Sequence, residues 1–215
     1  MTSARAVAAV IGDVVGSKSA GDRRALHRAL LDALDQVNRA FEPVTPLWVT
    51  AGDEYQGCFA TLRDAVRATL RIRLALRAVT EVRHGVGWGP VTVLDEEPRV
   101  EDGPGWWTAR WAIEEVAAAE QRAATRAVRT WYVRAEQAPD GTAPEGVNAA
   151  LLLRDEMLHG VGEESLSVLA GMLAGMSQKE IAADLGVSAS AVSQRVRRDG
   201  LTAVVRADEL LGRLP

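Results

Sequence analysis

The spacing of apolar residues changes period several times along the chain. Ala6–Ile11 is a short continuous apolar run closed by Gly12-Asp13, the pattern of a strand buried on both faces. From Asp22 onward the period lengthens: Leu26, Leu30, Leu34 and Val37 recur three or four apart, which predicts an amphipathic helix with Asp22 as its N-cap. Pro43 and Pro46 stop it. Leu47–Thr50, Gly52-Asp53-Glu54 and Tyr55–Phe59 then read as strand, tight turn and strand. Leu62–Arg77 predicts a second amphipathic helix, and Val82–Gly89 with Pro90–Leu94 another strand pair. After an acidic loop, Asp95–Asp102, come a third helix at Gly105–Ala119 and a last strand at Ala127–Val133.

This order, β-α-β-β-α-β with additions, predicts an α+β fold: a ferredoxin-like antiparallel sheet with helices on one side. Pro139, Asp140-Gly141, Pro144 and Gly146 punctuate the next stretch, so residues 136–146 read as a linker between a domain at 1–135 and an all-α segment at 147–215.

The sharpest local grammar lies in that all-α segment. Ser177 with Glu180 three residues later forms a capping box, Ile181 and Leu185 make an inner face, and Gly186 allows a sharp turn. Ser188 caps the next helix, whose Val192 and Val196 point inward, while Glu163–Ala174 supplies a supporting helix. The spacing is that of a helix-turn-helix and resembles the DNA-binding unit of many bacterial regulators. Ser188, Ala189, Ser190, Ser193 and Gln194 are then candidates for base edges, and Arg195, Arg197 and Arg198 for phosphates. A helix-turn-helix used only for packing is the alternative.

Composition sets limits on both halves. The chain has 215 residues, 47% hydrophobic and 25% charged, the usage of a soluble globular protein. A net charge of −4 excludes a broadly basic nucleic-acid coat but not one local reading helix. Only Lys18 and Lys179 are lysine, so arginine is the bulk cation and each arginine needs a positional argument. One cysteine, Cys58, rules out an internal disulfide framework and reads as a small core residue. No apolar run is long enough to span a bilayer, and the expected location is cytoplasmic without a membrane partner.

Two Gly-Asp pairs carry the remaining chemistry. Asp13 ends the first strand and Asp53-Glu54 forms the hairpin turn, places that neighbour each other in a ferredoxin-like sheet. Carboxylates from adjacent strand ends suit Mg²⁺, which would neutralise the phosphates of a bound nucleotide. Backbone N–H groups around Val14, Val15, Gly16 and Ser17 are placed to cradle those phosphates. Each Gly-Asp alone also serves simply as a turn.

Ile11–Ser17, Gly52–Gly57, Arg83–Gly89 and Asp102–Gly105 followed by Ala109-Arg110 together resemble the bacterial SatD family. The first three segments are similar, more distantly, to class III nucleotide cyclases and diguanylate cyclases. That resemblance implies a cyclase-like domain, with Asp13 and Asp53 matching the paired metal-binding aspartates. It also implies a site for a purine nucleotide, with or without Mg²⁺; the few phosphate contacts of one reading helix point separately to a homodimer. Cyclases of this class place an Asn and an Arg on a late helix; here Gly105–Ala112 holds no asparagine, and Arg110 is the one counterpart. Trp106, Trp107 and Trp111 on that helix suit purine stacking, a core or a dimer seam, and His84 reads as structural. The resulting expectation is a nucleotide-responsive, DNA-binding transcription regulator. The alternatives are a divergent nucleotidyl cyclase or related phosphoryl-transfer enzyme, and a dimerisation scaffold with an empty site.

Overall fold

In the computed structural model, which describes residues 5–16, 22–138 and 140–215, the first strand is central. β1 (Arg5–Val14) pairs antiparallel on one side with β3 (Glu54–Phe59), itself paired to β2 (Thr45–Ala51), and on the other with β4 (Val82–Glu96). The order β2-β3-β1-β4 is the ferredoxin-like one expected from the element sequence. Two strands extend it. β5 (Arg99–Asp102) folds back antiparallel on the end of β4, and β6 (Thr130–Arg134) runs parallel to β4, so the sheet is mixed rather than purely antiparallel.

The expected break at Pro90 does not occur, and β4 is one strand of 15 residues. The His84 N–H donates to Arg129 O and Trp88 O accepts from Ala135 N, so the even-numbered residues of β4 direct their polar backbone toward β6. Pro90 falls on that side beyond the end of β6 and before the first β5 pair at Thr92, where a missing N–H costs no ladder bond. The acidic loop likewise contains β5, paired Thr92 to Asp102 and Val93 to Glu101.

Helices cover both faces, not one. On the first, α1 (Arg23–Phe41) and α2 (Leu62–Leu76) bury Leu26, Leu30, Leu34, Val66 and Ile72 against Ala8, Val10, Tyr55 and Phe59. The Asp22 carboxylate caps α1 by accepting from Arg24 N at 3.0 Å and Ala25 N at 2.9 Å. Each such leucine taken fully out of water contributes about 1.5–3 kcal/mol. On the second face α3 (Pro104–Glu120) sets Trp106, Ala109 and Ile113 on Val7, Ala9 and Ile11. Here glycines decide the geometry. A Cβ on Gly85 would stand 2.2 Å from Ala109 O, and one on Gly87 2.2 Å from Gly105 O, so α3 lies directly on the β4 backbone.

Five further helices follow: α4 (Pro144–Leu158), α5 (Glu163–Leu173), α6 (Gln178–Asp184), α7 (Ala189–Arg198) and α8 (Leu201–Leu211). Val147 and Leu151 of α4 and Leu211 of α8 belong to the same core as the sheet. Leu158, Val168, Leu169, Ile181, Val192 and Leu201 form a second core that closes on Leu70 and Leu74 of α2. Within the stretch read as a linker, Thr142 O accepts from the Tyr132 hydroxyl and Gly141 O from Arg134.

Buried polar groups fasten these helices to the sheet. Asn148 of α4 donates to Tyr132 O and accepts from Tyr132 N, both at 2.8 Å. Asp155, fully buried, accepts from the backbone N–H of Arg129 and Thr130 and from the guanidinium groups of Arg73 and Arg154. Asp208 of α8 accepts from Arg67 and Arg71 of α2. No helix among the described residues is long and apolar enough to cross a membrane.

Candidate functional site

The strand-end constellation divides between the two faces of the sheet, because successive strand residues point in opposite directions. Gly12 pairs with Tyr55, which brings Asp13 beside the Gly52-Asp53-Glu54 turn, as the sequence predicts. Asp13 then lies with Glu54 and Arg110 on the α3 side. Val14 faces the other way, and with Asp53 it lines a cleft of about 160 Å³ completed by Arg23, Leu26 and His27 of α1. Gly16 turns the chain with φ +68°, and the Val15 N–H donates to Glu81 O at 2.9 Å. Ser17 lies outside the described residues.

Both carboxylates on the α3 side are already engaged. Arg83, paired with Asp13 across β1 and β4, donates to both its oxygens at 2.8 Å and to Glu120 at 3.1 Å. Arg110 donates to both oxygens of Glu54, at 2.7 and 2.8 Å. The Arg110 hydrogen bonds hold the Glu54 carboxyl below its ordinary range, against a smaller opposing effect of burial. Asp13 in turn, through its hydrogen bonds to Arg83, raises that guanidinium's pKa. From Glu120 the ion pairs continue inward through Arg129, Glu81 and Arg73 to Asp155, with the two Arg129 steps, both at 3.4 Å, ion pairs without a hydrogen bond.

A shared Mg²⁺ does not fit this arrangement. Such an ion needs open oxygen ligands, yet both Asp13 oxygens face a guanidinium, and the nearby Glu54 is held in the same way. Among the described residues no group of three or more His, Cys, Asp or Glu side chains is gathered as a metal centre. The expectation of Asp13 and Asp53 as paired metal ligands therefore finds no built centre here. Arg83, Glu120, Arg23 and His27 were missed as members of this region. Arg83 stands in a motif already singled out, but only strand register shows that it faces Asp13.

His84 is structural. It is fully buried with Nε2 and the Tyr55 hydroxyl 2.7 Å apart, and Gly12 makes room for the Tyr55 ring, which a Cβ there would meet at 2.3 Å. Burial, followed by the charges of Arg154 and Arg73, lowers its pKa to about 3, so it is neutral. Burial pushes the Cys58 thiol far up, consistent with an inert core residue. Trp106 is buried, whereas Trp107 and Trp111 are 59% and 54% exposed, one turn apart on the outer side of α3.

The second region is the pair α6–α7. The Ser177–Glu180 capping box is present: Ser177 Oγ accepts from Glu180 N, and Glu180 accepts from Ser177 N at 2.7 Å. Gly186, at φ +65°, makes the turn. Ser188 caps α7 through Ala191 N at 3.1 Å. Ser188, Ala189, Ser190, Gln194, Arg197 and Arg198 are exposed, while Ser193 and Arg195 are half-buried. The arginine cluster, free of acid in sequence, is not so in space. Glu164 of α5 pairs with Arg195, and Asp199 takes Arg198 in two hydrogen bonds at 2.8 and 2.9 Å. Arg197 alone of the three has no carboxylate partner among the described residues.

Comparison with known proteins gives the family. Among solved structures, the guanylyl cyclase Cya2 is 15% identical, with 53% of this chain and 71% of that one covered at a TM-score of 0.45. The monomeric guanylyl cyclase domain of the RhoGC fusion protein from the aquatic fungus Blastocladiella emersonii is 17% identical, with coverage of 52% and 75% and a TM-score of 0.43. A regulator of polyketide synthase expression from Bifidobacterium adolescentis is 15% identical, with 97% and 86% covered at 0.28. No curated protein matches the chain. The SatD family model matches residues 7–211, which takes in both the sheet and the C-terminal helices, and the chain belongs to the SatD family.

Proposed function

We propose that this protein is a DNA-binding transcription regulator, with α6–α7 as a helix-turn-helix and the N-terminal domain as its dimerising and ligand-sensing part. The observation that carries this reading is the outer face of α7. It is exposed, capped at its N-terminus, and carries Ser190, Gln194 and Arg197 without apolar cover. Such side chains suit base edges and phosphates in a major groove. With Arg195 and Arg198 drawn to carboxylates, few phosphate contacts remain per chain, so two copies on one site are needed for tight binding. Trp107 and Trp111 form the apolar surface we assign to that homodimer. A purine nucleotide is the proposed ligand of the N-terminal domain. Its phosphates would meet Arg23 and His27 beside Asp53, without a requirement for Mg²⁺. The engaged carboxylates and the absence of an asparagine on α3 favour sensing over turnover.

Fluorescence anisotropy with duplex DNA from upstream of the protein's own coding sequence tests the reading. Specific binding that weakens in Gln194→Ala by about 1–3 kcal/mol is expected, with Arg197→Ala lowering the salt slope by about one unit. Equal affinity for that duplex and a scrambled one would overturn it. Pyrophosphate release from ATP or GTP, lost in Asp53→Asn, would instead establish the phosphoryl-transfer alternative.

A further inference from the structure

A larger cleft lies away from both regions, between the C-terminal half of α1, the outer side of α2, and α5. Its volume is about 480 Å³, within the range of small-molecule sites, against about 160 Å³ for the strand-end cleft. Val37 and Phe41 of α1, Leu74 of α2 and Leu173 of α5 give it an apolar lining. Three arginines of the α2 segment, Arg67, Arg71 and Arg77, stand among them, and no acidic side chain lines it.

The charges do not balance. Arg67 and Arg71 share one carboxylate, that of Asp208, at 3.2 and 3.0 Å. Arg77 has no carboxylate partner among the described residues; its guanidinium donates to Ser167 Oγ at 3.0 Å and to Leu74 O. Three guanidinium charges against one carboxylate leave a net charge of two positive units beside an apolar surface. Arg77 has five N–H donors, of which these two bonds use two. Arginines that serve packing alone are normally matched by acids when drawn into a partly buried setting.

We propose that this cleft binds a small anionic amphiphile: a carboxylate, seated on Arg77 and on the terminal N–H groups of Arg67, with Arg71 held in a two-pronged pair by Asp208, carried on an apolar body that lies along Val37, Phe41 and Leu173. Planar guanidinium groups pair with a carboxylate in a two-pronged, charge-assisted fashion that neutral ligands cannot match. The apolar body would cover the half-buried Phe41 and Leu173. The site is separate from the strand ends and stands independently of the DNA-binding reading. Its third wall, α5, is also the helix whose Glu164 and Ser165 hold Arg195 and Arg198 of α7.

Titration calorimetry on the full chain with octanoate, dodecanoate and 1-naphthoate, with octan-1-ol as the neutral control, tests the assignment. At least one of the anions is expected to bind one to one with a Kd below about 1 mM, and octan-1-ol at least about tenfold more weakly. Arg77→Gln is expected to weaken the anion by about tenfold or more. Ala174→Trp, which places a large side chain at the exposed rim, should abolish binding while leaving the circular dichroism spectrum and Tm unchanged. Absence of binding by all three anions at 1 mM, on the order of the weakest affinity a specific site would show, would overturn the proposal. So would equal affinity for the alcohol, or affinity unchanged in either variant. None of these readouts involves DNA, so failure here and failure of the regulator reading are told apart.

Discussion

The two faces of the sheet are built by different means. Toward α1 and α2 the strands present large side chains, Tyr55 and Phe59 among them, and the helices answer with leucines three and four apart. Toward α3 the strand β4 presents Gly85 and Gly87, and the helix rests on bare backbone. The first face is held by buried area and tolerates adjustment, since side chains can shift. The second adds to its side-chain cluster of Trp106, Ala109 and Ile113 a close approach of main chains at Gly85 and Gly87, where little can give. The strand-end ion pairs sit on this second side, so Asp13, Glu54 and Arg110 take their places from how closely α3 approaches.

Substitutions that add or remove bulk on each face would break or sharpen this contrast. The largest effect is expected from Gly87→Val, whose first added carbon meets Gly105 O and Ala109 N at 2.2 and 2.3 Å. Urea unfolding should show a loss beyond the about 4 kcal/mol that marks exceptional mutations, or no cooperative transition; a loss under about 1 kcal/mol would mean that α3 can lift off the strand. On the opposite face, Leu30→Ala should cost about 2–5 kcal/mol while leaving a cooperative transition, as a cavity that partly collapses.

A pH series separates the faces further. His84 is buried on the α1–α2 side with its pKa lowered to about 3, against about 6.5 in the unfolded chain. The unfolded state then binds more protons between these values. His84's contribution is fully present above about pH 6.5 and is lost as pH falls toward 3, at up to about 1.4 kcal/mol per pH unit. His84→Gln, which can still bond the Tyr55 hydroxyl, should flatten that slope in thermal melts between pH 4.5 and 6.5 (about two units below the unfolded value); an unchanged slope would place the titration elsewhere. The smallest effect belongs to Arg110→Ala. The Arg110–Glu54 pair is 45% and 30% exposed, so its loss should cost under about 1 kcal/mol in the same urea assay. A larger cost would show that the pair helps to hold α3 on the sheet.

Much of this architecture is written in local pattern. The 3.6-residue spacing of Leu26, Leu30, Leu34 and Val37 is enough to place α1, and Asp22 and Ser177 mark helix starts because a short polar side chain reaches backbone N–H groups two or three residues on. The alternating glycines of β4 are as plain in sequence, yet their meaning is not. Small residues on a strand say that something comes close, and only the position of α3 says what. The last strand expected at Ala127–Val133 is present as β6, but its parallel pairing with β4 is not legible in sequence, because parallel partners leave no hairpin signal between them.

The strand-end region shows where reading along the chain stops. Gly12-Asp13 falls just before the end of β1 rather than in a turn, Gly52-Asp53-Glu54 makes the hairpin turn, and the β-α-β-β order is sufficient to make them neighbours. That Arg83 and Arg110 occupy the carboxylates depends on register and on a helix residue 56 positions later, and ion pairs between distant residues leave no spacing to detect. The same holds for Arg195 and Arg198, whose acidic partners include one 31 residues upstream. It holds again for the cleft between α1, α2 and α5, assembled from three helices that no motif connects. The sequence alone determined most of the elements, their order and the caps at Asp22, Ser177 and Ser188, since each rests on interactions within a few residues. The tertiary structure decided which charges are free, which carboxylates are taken and where a cavity opens, since those depend on distances between segments that the chain brings together only when folded.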